Sequence, residues 1–276
     1  MTVEELIVYG NKYLHKYEVK LILSTLLDIN PLELTINLQK VVDEEIINKY
    51  KKVIHYLQEG KPIQYALSNA CFYGYDFFVN EYVLIPRFET EELVYYTLGY
   101  IKKYFDKPDI LDMCAGSGCI GLSLKKENPK INLTLADISE KALEVLKINK
   151  NRLNISCDVI LSDLFENISS KYDVLVANPP YIAYSDEVDK VVKDNEPEIA
   201  LYADNNGLAI YERMFSSCEE YLNERYMIAI EIGSSQKDSV INIINKYLKD
   251  VEIIALKDAS NRDRMVFVFK NINLSE

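Results

Sequence analysis

The segment DILDMCAGSGCIG, residues 109–121, decides how the rest of the chain is read. It opens with an apolar run short enough for a buried strand. It ends in Gly116, Gly118 and Gly121, the spacing GxGxxG. Three of the chain's nine glycines fall in these six residues. Glycine permits a tight turn and lets a ligand approach the backbone at the N-terminus of the following helix. Such a loop carries meaning only where it follows a strand and opens a helix.

The surroundings supply that context. Strands are predicted at Asp109–Met113, Asn132–Ala136, Cys157–Leu161, Asp173–Ala177, Met227–Glu231, Val251–Ala255 and Met265–Phe269, with helices between the first six. This alternation predicts a mostly parallel sheet covered on both faces. The last gap holds only a turn, Asp258–Asp263, so the seventh strand is expected to run antiparallel.

Upstream, residues 1–59 read as helices. Val19, Leu21, Ile22, Leu23, Leu26 and Leu27 form one apolar run, which Asn30-Pro31 breaks. Ile46, Ile47, Tyr50, Val53, Ile54 and Leu57 follow the i, i+3, i+4, i+7 spacing of a one-sided helix. Gly60 suits the position just past its end, and Pro62 prevents continuation. The aromatic segment Ala70–Asn80 with its central Gly74 reads as a short hairpin. The expected organisation is a helical domain over 1–70, a hairpin linker over 71–90 and an α/β domain over 91–276. The fold class is α/β: a seven-stranded Rossmann-like sheet with a small N-terminal helical domain.

Composition narrows the function. The 276 residues are 49% hydrophobic and 27% charged, with a net charge of −12. Residues 1–70 hold 8 Lys and Arg against 9 Asp and Glu; the remainder holds 23 against 34. An acidic chain does not resemble one that neutralises a phosphate backbone. Five cysteines, Cys71, Cys114, Cys119, Cys157 and Cys218, form no CxxC and read as reduced thiols of a cytoplasmic protein; no metal site is signalled. No leader or membrane span is read at MTVEELIVYG. His15 and His55 lie away from every motif and read as structural.

Asp137 ends the second strand at the spacing where a carboxylate grips ribose hydroxyls, which suits NAD and S-adenosylmethionine alike. Asp112 separates them. A carboxylate at the end of the first strand favours the ammonium group of a methionine moiety and would repel a pyrophosphate. Directly after the fourth strand stands Asn178-Pro179-Pro180-Tyr181. An amide nitrogen is a poor nucleophile, so an enzyme that alkylates it must hold it in line with the methyl group. The Asn178 side-chain oxygen and the Pro179 carbonyl offer two acceptors for its N–H bonds, and they favour the cation that forms. The prolines stiffen the loop, and Tyr181 offers a flat face for a planar amide or base.

On these segments the chain resembles the release factor glutamine methyltransferases, within the class I S-adenosylmethionine-dependent methyltransferases. The resemblance runs through Gly60–Tyr65, Phe72-Tyr73-Gly74, Ile85–Glu91, the Asp112–Gly121 loop, Ser162–Phe165 and Asn178–Tyr181. It continues at Glu196-Pro197, Ala200-Leu201, Gly207-Leu208, Glu231-Ile232-Gly233 and Arg264. It implies methyl transfer from S-adenosylmethionine to the glutamine of the Gly-Gly-Gln motif of peptide chain release factors. Cys114, Ala115, Gly116, Ser117 and Gly118 would wrap the methionine part, and Asp163 and Leu164 would flank the adenine. Asn178 would touch cofactor and substrate, with Pro179, Pro180 and Tyr181 completing the substrate side. Cys114-Ala115 replaces the Gly-Thr of many members, and Leu164 replaces an aromatic found in some. The helical domain is expected to recognise the release factor, and the enzyme to act as a monomer without membrane or nucleic-acid partners. Because Asn-Pro-Pro-Tyr is shared with adenine and cytosine amino-methyltransferases, the alternative is a nucleic-acid base as acceptor.

Overall fold

The computed structural model describes residues 1–274, which divide into two compact units. The first comprises Met1–Asn69 and the distant segment Asp189–Asn195; the second comprises Ala70–Val188 and the chain from Glu196 onward. The hairpin therefore belongs to the second unit.

In the first unit lie α1 (Val3–Gly10), α2 (Lys16–Leu27), α3 (Pro31–Ile36), α4 (Glu44–Gln58) and α5 (Ile63–Leu67). Asn30-Pro31 ends one helix and starts the next. The Asn30 side chain accepts the Leu32 and Glu33 N–H groups, and Pro31 occupies the first helical turn, where its missing N–H is not needed. His15 precedes α2, and the Glu18 side chain takes its backbone N–H. The apolar face of α4 buries Ile47, Tyr50, Val53 and Ile54, and Gly60 beyond it adopts φ +79°. Tyr50 is fully buried and donates its hydroxyl to the Leu6 carbonyl at 3.1 Å.

The second unit opens with the antiparallel hairpin β1 (Ala70–Phe72) and β2 (Tyr75–Phe77). It continues through α6 (Phe88–Tyr104), β3 (Asp109–Met113), α7 (Cys119–Glu127), β4 (Asn132–Asp137), α8 (Glu140–Arg152), β5 (Asp158–Leu161) and β6 (Tyr172–Ala177). After α9 (Lys190–Asn195), which groups with the first unit, come the short α10 (Glu198–Leu201) and α11 (Asp204–Gly207), then α12 (Ala209–Ser217). β7 (Leu222–Glu231), α13 (Lys237–Tyr247), β8 (Val251–Lys257) and β9 (Asp263–Lys270) complete it.

The sheet order is β5-β4-β3-β6-β7-β9-β8. The first five of these pair in parallel, and β9 runs antiparallel to both β7 and β8, as the short final gap requires. Both faces are covered by separate apolar clusters, one containing Leu93, Ile120 and Leu146, the other Tyr211, Phe215 and Ile244. This is a class I methyltransferase architecture.

One expected helix is absent. Between β5 and β6 the chain makes turns only. The Ser162 hydroxyl accepts the Asn167 N–H and donates to the Leu164 carbonyl, and Leu164 sits at φ +49°. This local bonding competes with helix formation and drops Phe165 and Ile168 into the core.

Chain order places the ligand crevice. From β3 the chain steps outward to β4 and β5, then returns to the other side of β3 as β6. Ligands in open α/β sheets bind at such a reversal, beyond the carboxyl ends of the strands. Met113 pairs with Ala177, so Cys114 and Asn178 leave the sheet side by side. Among the described residues no helix is long and apolar enough to cross a membrane.

Candidate active site

A cavity lies at that reversal, lined entirely by the second unit. Cys114, Ala115, Gly116, Ser117, Asp137, Asp163, Leu164 and Asn178 line it, as does Pro180. Asp112, Gly118, Pro179 and Tyr181 are not on its wall.

The glycine loop is held from three sides. Asp137 accepts the Gly116 N–H at 2.8 Å and the Ser139 N–H at 2.9 Å. An ionised carboxylate has about four lone-pair sites, so acceptor capacity remains for ligand hydroxyls. Asn149, fully buried on α8, donates to the Ser117 carbonyl at 2.9 Å. Ala115 donates its N–H to Ala136 at 3.0 Å. Cys114 is held at φ +60°, a left-handed conformation in which glycine would be unstrained.

Asp112 stands one layer below. It is fully buried and its Oδ2 accepts the Gly121 N–H at 2.8 Å. Gly121 lies in the first turn of α7, and a side chain there would meet Asp112 Oδ2 and Leu135 Cδ2 at under 3 Å, so glycine allows the helix to pack this close to β3 and β4. Asp112 Oδ1 has no hydrogen-bond partner among the described residues. Burial pushes the carboxyl up to about 7; the Gly121 hydrogen bond opposes this and the nearby Asp137 adds to it. Asp112 directly precedes Met113 and Cys114, both cavity-lining, and its orphaned buried oxygen suits an arriving ammonium group better than a phosphate. Burial likewise raises the Asp137 carboxyl, and pushes the Cys119 thiol up to about 12, which leaves that thiol unreactive.

Across the cavity, Asp163 pairs with Arg213 of α12 at 2.8 Å. Leu164, Ile138 and Ala142 give an apolar surface suited to a flat aromatic base. The donor and acceptor set thus fits S-adenosylmethionine. Among the described residues no cluster of His, Cys, Asp and Glu could hold a metal ion.

The opposite wall begins at Asn178. Its Nδ2 donates to Thr90 Oγ1 at 3.2 Å, and Thr90 donates to Glu231 Oε2 at 2.6 Å. Tyr181 turns its hydroxyl to Glu231 Oε1 at 3.2 Å, and Arg264 donates to the same hydroxyl at 3.3 Å. The Tyr181 hydroxyl is therefore committed to the protein, and the residue is half-buried. The Tyr181 carbonyl accepts from Gln236 at 2.8 Å, and Gly207 packs so closely that a Cβ there would lie 2.0 Å from it. Arg87, also on the wall, donates to Glu196 at 2.5 Å, and Glu196 takes the Ile85 N–H at 3.1 Å.

Reading the sequence missed Asn149, Arg213 and the wall formed by Ile199 and Tyr202. Asn149 looks like one more polar residue of an amphipathic helix. Ile199 and Tyr202 lie in a region of short, irregular elements without a periodic signal.

Comparison with known proteins agrees with this fold. Residues 98–198 match the family described as Methyltransferase small domain, and residues 14–67 match PrmC N-terminal domain. A release factor glutamine methyltransferase of Streptococcus pneumoniae is 40% identical over 232 residues, covering 83% of this chain and 82% of that one. One from Bacillus cereus is 35% identical over 255 residues, covering 90% of each. The solved structure of the T. thermophilus 16S rRNA N2 G1207 methyltransferase with AdoMet and guanosine shares the fold. It superposes with a TM-score of 0.54 at 13% identity over 74% of this chain and 50% of that one.

Proposed function

This chain belongs to the release factor glutamine methyltransferase family, and we propose accordingly that it methylates the side-chain nitrogen of the glutamine in the Gly-Gly-Gln motif of a peptide chain release factor. S-adenosylmethionine, when bound, supplies the methyl group as an electrophilic sulfonium.

The observation that carries this reading is one wall-to-wall arrangement: Asn178 and Pro180 share a cavity with Cys114–Ser117 and Asp137. Asp137 accepts the ribose hydroxyls. The loop Cys114–Ser117 receives the methionine part, with the orphaned Asp112 oxygen behind it. Asp163 and Leu164 flank the adenine. Asn178 Oδ1 accepts an N–H of the glutamine amide, which turns the nitrogen toward the sulfonium and favours the positive charge that develops on it. Tyr181 serves by holding Glu231 rather than by stacking on the substrate.

A free glutamine offers few atoms to bind, so selection of one protein needs contacts remote from the reacting centre. The helical unit recognises the body of the release factor. The enzyme acts in the cytoplasm as a monomer on protein, not on nucleic acid; its charge of −12 supports a protein partner.

Incubation with labelled S-adenosylmethionine and, separately, an intact release factor, its Gln→Ala variant, tRNA and DNA tests the activity. Label must enter the intact factor alone; label in a nucleic acid refutes the reading. Hydrogen exchange in α1 to α5 must slow when the factor is added, and unchanged exchange there refutes the role of the helical unit.

A further inference from the structure

Asn178 has two ends of nearly equal shape and opposite hydrogen-bonding character. Its oxygen attracts an amide N–H; its NH2 group repels one. The outcome of the reaction proposed above therefore depends on which end is turned to the cavity. The neighbours of Asn178 settle the choice.

Thr90 sits in the first turn of α6, 2% exposed, and borders the cavity. Its hydroxyl lies 2.6 Å from Glu231 Oε2 on one side and 3.2 Å from Asn178 Nδ2 on the other. A hydroxyl has one proton, and an ionised carboxylate has none to give. The Thr90 proton thus belongs to Glu231, and Thr90 presents only lone pairs to Asn178. Only the NH2 end of Asn178 can meet them.

The far side of Glu231 enforces the same polarity. Arg264 is a donor without any acceptor. It donates to the Tyr181 hydroxyl oxygen at 3.3 Å, so the Tyr181 proton goes on to Glu231 Oε1 at 3.2 Å. Glu231 itself is 2% exposed at the end of β7, where its main-chain carbonyl accepts the Tyr211 hydroxyl at 2.8 Å. Burial raises the Glu231 carboxyl, while the Thr90 hydrogen bond, Arg264 and Tyr181 all favour its ionised form. With Glu231 ionised, the form those three partners favour, every proton in the chain from Arg264 to Asn178 has one place to go.

We propose that Glu231 and Thr90 are positioning residues that fix the Asn178 carboxamide with its oxygen facing the substrate nitrogen. The proposal rests on the glutamine-transfer reading for its consequence in rate. Its structural content, the orientation of Asn178, stands without a substrate.

Glu231→Gln is the discriminating variant, because it keeps size and replaces one acceptor with a donor. Arg264 still occupies the Tyr181 oxygen, so the new amide must accept from Tyr181 with its oxygen and donate to Thr90 with its nitrogen. Thr90 then turns its proton to Asn178 and draws the carboxamide round. The expected result is a fall in kcat of about a hundredfold, the size of losing one aimed hydrogen bond at a developing charge, with the Kd for S-adenosylmethionine unchanged. Thr90→Val should fall similarly, and Thr90→Ser, which keeps the hydroxyl, should restore the wild-type rate.

Nitrogen-15 NMR of the Asn178 side chain, assigned by its loss in Asn178→Ala, reads orientation directly. Its NH2 protons should exchange slowly with solvent in the wild type and quickly in Glu231→Gln. Unprotected protons in the wild type overturn the proposal, and so do unchanged rate and exchange in Glu231→Gln. If Glu231→Gln does not fold, the Thr90 pair decides, and equal rates for Val and Ser overturn it. A wild-type protein that leaves the release factor unmethylated refutes the proposed function, and the exchange measurement still judges Asn178.

Discussion

Asn149 donates to the Ser117 carbonyl in the glycine loop at 2.9 Å while the same side chain clasps the Phe78 backbone through both of its groups, at 2.6 and 2.9 Å. One buried amide thus ties the loop to the segment that follows the hairpin. Removing it strands the buried Ser117 carbonyl and two half-buried groups of Phe78, and a buried group left unpaired costs about 1–3 kcal/mol. Asn149→Ala should lower stability by roughly 3 kcal/mol and weaken S-adenosylmethionine binding, because the loop loses its support. Urea denaturation and calorimetry measure both. A variant of wild-type stability would show that these bonds contribute nothing net.

Asp137 has two duties. Its oxygens order Gly116 and Ser139, and its remaining lone pairs face the cavity. Charge-assisted hydrogen bonds to ribose hydroxyls are worth about 1.5–3 kcal/mol, so Asp137→Ala should weaken cofactor binding by roughly ten- to a hundredfold. Asp137→Asn keeps an acceptor for one loop N–H and should fall between. Unchanged affinity in a folded Asp137→Ala protein would remove the assignment.

Which parts of this site can be read from the sequence depends on how far apart the contacting residues lie. The glycine loop and Asn178 announce themselves because each follows an apolar strand directly, and the paired register of β3 and β6 does the rest. Asn149 does not, since its burial depends on Phe78, 71 positions away. Thr90 and Glu231 are 141 positions apart, and nothing local to either names the other. Tyr181 reads as a stacking platform in its own motif, yet Glu231 and Arg264 turn its hydroxyl inward. The helix expected between β5 and β6 fails for the opposite reason: a short-range bond from Ser162 outcompetes it.

Asp112 makes the protein's stability depend on pH. Burial holds its carboxyl at about 7 in the folded protein, against about 3.9 in the unfolded chain. Between those values the unfolded chain has released the proton and the folded protein has kept it, so rising pH favours unfolding. This group should cost the cofactor-free protein on the order of 1 kcal/mol per pH unit from about pH 4 to about pH 7, with no further loss above. Asp112→Asn keeps an acceptor for the Gly121 N–H and cannot ionise, so its stability should fall less over that range. Denaturation midpoints of both proteins at pH 5 and pH 8 provide the test, and parallel pH dependences would contradict it.

Asn178→Ala should separate binding from turnover. The Asn178 side chain borders the cofactor cavity but its oxygen is assigned to the substrate nitrogen, where positive charge appears only as the methyl group arrives. The loss should therefore fall on kcat, by about a hundredfold or more, with little change in the Kd for S-adenosylmethionine. Equal losses in both quantities would make Asn178 a binding residue only. No side chain on this wall is placed as a strong base: Thr90 and Tyr181 are already bonded to Glu231, and burial holds the Tyr181 hydroxyl well above its usual range. A methylated amide cation is acidic enough to release its proton to a weak acceptor or water. The pH–rate profile of the wild type should accordingly lack a sharp bell near neutrality, and finding one would require a general base that this geometry does not supply.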